Sequence, residues 1–490
     1  MEISGISRSQ VIRNSIWKFS ETIGVQLFQA IITIILARLL SPNDYGLMSI
    51  IMIATNFLAL FVNSGISSYL VYLKDIKKQD FLTALIFNLV VSLLLMGLLI
   101  GGAGFVAKFY NAPQLTPMIM VTSSILPLGA ISSVYNSYAI KMSLHKSLFY
   151  RNMIAVPISG ILSVVLALEG FGIWTLVINI LVYNVLLTII IALSIKINID
   201  GYWRFEFESL KKMCSYGFFT LLSTIVAFIS DNISDLFIGK KINASQLGVY
   251  NRGRNFPDYI FSSVNTVIST VLFPAFASYN QDISELKSKC RKSLKLLNTI
   301  AFPILFGFIA CAPSFVYVVL TDKWSECIPI IQIICLYYCF VPFLQIGSQI
   351  YLAIGKTKIR AYGEFIKLSV TLIFLAIFIK YGIIGIAFAK FLVGFVMFLY
   401  SVILNYRFMK YNILELLIDC YKPLLSATLM AVAIYPLTYL HLDRLVILII
   451  QILVGVVIYT ISSLILKNED VNELVRKLFV SFRTKNSIFS

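Results

Sequence analysis

The sequence predicts an all-α integral membrane fold of about fourteen transmembrane helices, grouped as two six-helix lobes with two further helices at the C-terminus. Three observations predict it. Apolar stretches of spanning length follow one another almost end to end. The loops between them alternate between rich and poor in basic residues, and a short motif recurs six spans apart. Of the 490 residues, 59% are hydrophobic and 13% charged, against nearer half and a quarter in a soluble domain. Such a chain cannot cover its own surface with polar groups, so lipid must be its solvent. A stretch of roughly 20 apolar residues is enough to cross the hydrocarbon.

In chain order the spans fall at residues 17–36, 46–67, 82–106, 118–138, 153–168, 173–193, 216–238, 247–274, 294–318, 328–352, 365–379, 383–404, 423–440 and 445–466. Connections are short, as in a helical bundle whose backbone polar groups must be satisfied internally. The expected organisation is an N-terminal lobe over 1–200, a C-terminal lobe over 201–410, a helix pair over 411–466 and a basic amphipathic tail over 467–490. Prolines 127, 157, 257, 303, 342 and 436 lie inside spans, where they free carbonyls and permit kinks.

Basic residues gather before the first span (Arg8, Arg13, Lys18), in the second loop (Lys74, Lys77, Lys78), in the eighth (Lys287, Lys289, Arg291, Lys292, Lys295), and likewise in every even-numbered loop and the tail. These segments hold about 30 of the 40 Lys and Arg, and the odd-numbered loops roughly seven. By the positive-inside rule the basic side is cytoplasmic. An even span count then places both termini inside. In the tail, Val471, Leu474, Val475, Leu478, Phe479 and Phe482 recur at helical spacing among basic residues, as in a helix lying on anionic headgroups. The stretch Trp203, Phe205, Phe207 and Leu210 has the same character.

The net charge of +17 does not indicate nucleic acid, because the cations are dispersed over loops between spans. Seven cysteines are scattered with neither metal-ligand spacing nor a disulfide framework. No P-loop, GxSxG or HExxH occurs, and the two histidines, His145 and His441, are far apart. The chain is therefore read as a non-enzyme, with no catalytic residue, cofactor or metal expected. No short apolar region with a cleavage site follows the polar residues 1–10, so the first apolar stretch is read as a retained span.

The run Leu36-Ala37-Arg38-Leu39-Leu40-Ser41-Pro42-Asn43-Asp44-Tyr45-Gly46-Leu47 aligns without gaps on Ile238-Gly239-Lys240-Lys241-Ile242-Asn243-Ala244-Ser245-Gln246-Leu247-Gly248-Val249. Basic falls on basic and glycine on glycine. An offset of six spans makes parallel repeats, related by an axis along the membrane normal.

The first of these runs resembles the opening signature of bacterial polysaccharide transporters. These are the Wzx-type O-antigen and teichuronic-acid exporters of the multidrug/oligosaccharidyl-lipid/polysaccharide (MOP) flippase superfamily. Further matches are Asn63 with Gly65, Asp235 with Ile238, Gly239 and Lys240, Gly248 with Tyr250 and Arg252, Phe273-Pro274, Lys323-Trp324 and Gly355-Lys356. Asn63 departs from the pattern, which has an Asp shortly before the glycine. The resemblance implies a MATE-like two-lobed fold in a bacterial cytoplasmic membrane. It also implies export of an undecaprenyl-pyrophosphate-linked oligosaccharide by alternating access, coupled to protons or sodium. Candidate partners are bilayer lipids, a glycan polymerase and glycosyltransferases.

A charge inside a span is expensive unless it faces a bundle interior or water. Arg252, Arg254 and Lys390 are the cations so placed, and they are the candidates for binding a pyrophosphate in a cavity between lobes. Glu21, Asp231, Asp235 and Asp258 are the candidates for exchanging the coupling ion. The plainer reading is mutual neutralisation, as for Arg254 and Asp258 one turn apart, or for Glu364 with Lys367. Rival functions are a multidrug exporter of the same superfamily, a membrane glycan polymerase or glycosyltransferase, and a non-transporting scaffold. Short, charge-poor external loops weigh against a polymerase, and buried cations weigh against cationic drugs.

Overall fold

Helix is the only regular structure among the described residues of the computed structural model, which are 8–63, 69–70, 73, 77–195, 206–267, 283–353, 357–468 and 471. The expected amphipathic tail beyond Val471 lies outside them, as do Trp203, Phe205, Gly65, Phe273, Pro274, Gly355 and Lys356.

The chain divides into two compact units, residues 1–248 and 249–490. The first contains α1 (Arg8–Leu39), α2 (Pro42–Asn63), α3 (Lys78–Phe109), α4 (Leu115–Thr122), α5 (Ile125–Lys141), α6 (His145–Leu168), α7 (Ile173–Ser194), α8 (Phe207–Lys241) and the start of α9 (Ala244–Val267). The second contains the rest of α9, then α10 (Ile283–Phe315), α11 (Cys327–Tyr338), α12 (Val341–Ala353), α13 (Thr357–Phe378), α14 (Gly382–Met409), α15 (Ile413–Ile434) and α16 (Arg444–Ile465). In the first unit α6 packs along α1 and α7, and α8 along α2. In the second, α10 packs along α15 and α14 along α13.

Among the described residues, twelve helical segments are long and apolar enough to cross a membrane, against fourteen expected. Both differences have a physical cause. One segment, Tyr362–Met409, contains the two expected spans 365–379 and 383–404. It turns at residues Ile379–Tyr381 and at Gly382, whose φ of +70° suits a residue without a Cβ. The other difference is α9, which carries Arg252, Arg254 and Asp258 and is too polar to qualify.

The faces are distributed as lipid demands. Along α3 the buried residues include Ala84, Asn88, Ser92, Ala103 and Ala107. Leu94 and Phe105 on its other side are 69% and 75% exposed. Small side chains at the helix interface let backbones approach, and large apolar ones meet the acyl chains. The fourth expected span is broken between α4 and α5. There the Thr122, Ser123 and Ser124 hydroxyls all donate to carbonyls of the preceding turn, at 2.8, 2.6 and 2.7 Å, and Pro127 follows. Back-bonded hydroxyls and a missing N–H are the standard causes of such a bend.

The repeat has a structural counterpart. Ser41 caps α2: its hydroxyl accepts from the Asp44 N–H at 3.3 Å while the Asp44 carboxylate accepts from the Ser41 N–H at 2.9 Å. At the matching position Asn243 caps α9, its side chain accepting from the Gln246 N–H at 2.8 Å. The two capped ends press on each other at their glycines. A Cβ on Gly46 would lie 1.6 Å from the carbonyl oxygen of Ala244, and one on Gly248 would lie 1.9 Å from that of Pro42. Pro42 and Ala244 are themselves repeat partners, so the contact is reciprocal.

Backbone on both sides leaves nothing to yield. Gly46→Ala and Gly248→Ala are therefore each expected to destabilise the protein by about 1–3 kcal/mol or more. Gly104→Ala, with open space around it, should be neutral. Thermal unfolding of the purified protein in detergent reads the difference, and equal midpoints for all three would contradict the crossing.

Candidate functional site

A guanidinium inside a helix bundle needs faces and acceptors to replace water, and the second unit supplies them around α9. Arg252 is only 4% exposed. Its guanidinium lies 5.5 Å from the ring of Trp324, which is fully buried in the short turn Asp322–Trp324. Arg254, half a turn on, lies over Tyr250 at 5.7 Å and reaches Asp258 at 3.7 Å. An aromatic face attracts a cation through its quadrupole.

The cluster continues onto two further helices. Asp258 accepts a hydrogen bond from the phenol of Tyr338 on α11. Tyr338 meets its neighbour Tyr337 edge-on at 5.1 Å, and the Lys390 ammonium of α14 lies over Tyr337 at 5.2 Å. Gly394, one turn beyond Lys390, makes room for that ring: a Cβ there would lie 2.6 Å from it. Arg254, Asp258, Tyr338, Tyr337 and Lys390 thus form one continuous ladder across α9, α11 and α14. The structure brings these sequence-named residues together and adds the aromatics. Tyr250 and Trp324 had stood only among the family matches; Tyr337 and Tyr338 had no signal beyond being a tyrosine pair inside an apolar stretch.

Tyr337 also borders a cavity of about 190 Å³ between α11–α12, α13 and α14. Its polar lining includes Gln345, Ser348, Tyr400 and the pair Glu364–Lys367, whose charged atoms are 3.9 Å apart. The intrahelical pairing expected for Glu364 and Lys367 is present.

The remaining candidates lie in the first unit. Glu21 on α1 is 5% exposed and accepts from the Asn152 amide of α6 at 2.7 Å. Arg151 is buried beside it, and Glu21, Arg151 and Tyr183 lie within electrostatic reach of one another. Sequence reasoning had counted Arg151 as a loop cation because the apolar run begins at 153, whereas α6 begins at His145. Asp231 and Asp235, one turn apart on α8, separate: Asp231 is exposed and Asp235 is 2% exposed. Burial first, and then the Asp235 charge, raise the phenol of Tyr110 above its usual range.

A second ionic cluster ties α10 to α15. Arg291 grips Asp419 with two bonds of 2.7 and 2.8 Å, Lys295 approaches the same carboxylate at 3.2 Å, and Lys287 pairs with Glu415 at 2.8 Å. Tyr411 donates to Asp419 at 2.9 Å, and burial together with that carboxylate raises its phenol, keeping it a donor. Three cations counted as solvated loop charges are thus ion-pair partners on helices.

The described helices define a multi-pass membrane protein with a transporter fold. Lipid II flippase MurJ in its inward closed conformation superposes with a TM-score of 0.75, covering 94% of this chain and 99% of that one at 18% identity. An inward-facing multidrug resistance MATE family transporter of the MOP superfamily gives 0.60, covering 79% and 96% at 16% identity. Residues 35–329, more than half of the chain, match the polysaccharide biosynthesis protein family, and the chain belongs to that family. Among relatives, the teichuronic acid biosynthesis protein TuaB of Bacillus subtilis is 21% identical, over 72% of this chain and 74% of its own length. The succinoglycan biosynthesis transport protein ExoT of Rhizobium meliloti is 24% identical, over 73% and 75%.

Asp419 is buried, but Arg291 and Lys295 reach solvent and Arg291 also pairs with Glu415. Asp419→Asn is therefore expected to destabilise the protein by about 1–3 kcal/mol. Glu415→Gln, at a more accessible pair, should cost below about 1 kcal/mol. Thermal midpoints in detergent measure both; an Asp419→Asn protein as stable as wild type would contradict the assignment.

Proposed function

We propose that this chain moves an undecaprenyl-pyrophosphate-linked oligosaccharide across the cytoplasmic membrane of a bacterium by alternating access, with both termini in the cytoplasm. The observation that carries the proposal is that Arg254 and Lys390 stand at the two ends of one ladder of polar and aromatic groups, with Arg252 on Trp324 two residues before Arg254 on the same helix. Cations kept at such expense are suited to an anionic headgroup, whose lost hydration they replace with charge-assisted hydrogen bonds. The neighbouring polar cavity offers hydroxyl and amide partners of the kind a sugar uses. Family membership supports a glycan-linked cargo, and the named roles of TuaB and ExoT agree with it.

In this reading residues 1–200 and 201–410 act as the two six-helix lobes, 411–466 as an appended pair and 467–490 as a membrane-associated tail. Coupling to protons or sodium falls to Glu21, Asp231, Asp235 and Asp258; Asp231, being exposed, is the weakest candidate. A glycan polymerase and glycosyltransferases would work upstream and downstream of the same cargo. The cationic site disfavours cationic drugs as cargo.

The test is genetic. Deleting the gene should make lipid-linked repeat units accumulate on the inner leaflet, and wild type should reverse this. An Arg252→Ala, Arg254→Ala variant that inserts normally should transport about tenfold less or worse, given roughly tenfold per lost charged contact. Full rescue by that variant would refute the proposed role of these residues.

A further inference from the structure

A second cationic hollow lies where three expected spans end. Lys295 sits at the start of the ninth, Lys422 immediately precedes the thirteenth, and Asn468 follows the fourteenth. The alternation of basic loops puts all three at the headgroup level of the side marked as cytoplasmic. In the fold they line one cavity of about 180 Å³.

Its chemistry is that of an anion seat. Asp419 at its wall already accepts from Arg291 and Tyr411 and faces Lys295. Lys422 is held at the rim by donating to the carbonyl of Lys467, just past the end of α16, at 3.0 Å. The cavity also has an apolar flank. Ile418, Tyr421 and Leu425 lie on one face of α15 at spacings of three and four residues, and are 62%, 47% and 44% exposed. A small soluble anion has no use for such a flank, whereas a phospholipid has both a phosphate and chains to lay along it.

We propose that this cavity seats the phosphate of an anionic phospholipid of the cytoplasmic leaflet. Lys295 and Lys422 supply the charge, Asn468 an amide, and Ile418 and Leu425 the surface for the acyl chains. The site is separate from the Arg252–Lys390 ladder, so its occupant is a resident lipid rather than cargo.

The test is a lipid titration of the purified full-length protein by native mass spectrometry, reading the tightest-bound lipid. Phosphatidylglycerol should bind about 25-fold better than phosphatidylcholine, two basic groups near the surface each contributing roughly fivefold. Lys422→Gln should weaken phosphatidylglycerol about fivefold and leave phosphatidylcholine unchanged, Lys422→Arg should retain binding, and Lys380→Gln, exposed on a loop of the opposite side, should change nothing. If Lys422→Gln lowers the thermal midpoint, Asn468→Ala reads the same cavity from the end of α16, and retention of the full lipid preference there would overturn the proposal. Equal binding of the two lipids, or an unchanged Lys422→Gln protein, would overturn it as well. Displacement of phosphatidylglycerol by millimolar inorganic phosphate would do so too, marking a small-anion site instead.

Discussion

Hydrocarbon gives a charged side chain nothing to bond to, and the ionic features inside the helix bundle follow from that. A lone charge at the centre of a helix bundle is costly enough that each must be held by an aromatic face, an opposite charge or a polar cavity. The structure uses all three devices. Arg252 and Lys390 lie on rings, Arg291 and Asp419 hold each other with paired bonds, and Glu364 with Lys367 borders a polar hollow. The devices are not equivalent in consequence. A bidentate pair satisfies both partners and serves stability. A ring attracts a cation by its face and carries no opposite charge of its own.

Most of the fold was legible in the sequence because lipid imposes a simple rule, and apolar length alone marks the helices. The repeat was legible only as letters: Ser41 and Asn243 stand at the same repeat position, and the structure shows each capping the helix that follows. What escaped depends on position around or along a helix. Arg151 looked like a loop residue because hydropathy reports the apolar run and not the polar turns that precede it. Asp231 and Asp235 share type, helix and spacing, yet packing buries one and exposes the other. Among the described residues the count of fourteen fell to twelve because two expected spans form one continuous segment, Tyr362–Met409, and because α9 is too polar to register. That polarity is what places it at the candidate site. Tyr337 and Tyr338 were invisible because an aromatic pair in an apolar stretch is ordinary until its neighbours are known.

The repeat also explains a constraint that hydropathy could not. The glycines at 46 and 248 had matched only as letters. In three dimensions each leaves room for the carbonyl of the other segment, so the ends of α2 and α9 touch through backbone alone. Such a contact has little side-chain packing to repack and a fixed closest approach. It anchors the start of α9, and two turns later the same helix carries Arg252 and Arg254.

The central claim is that these cations recognise a pyrophosphate. It is tested most directly by measuring how purified wild type and an Arg252→Gln, Arg254→Gln, Lys390→Gln variant bind undecaprenyl pyrophosphate and undecaprenol. The account predicts that wild type prefers the pyrophosphate by about tenfold or more. The variant, folded to the same thermal midpoint, should have lost that preference while binding undecaprenol as before. An undiminished preference in the variant would contradict it.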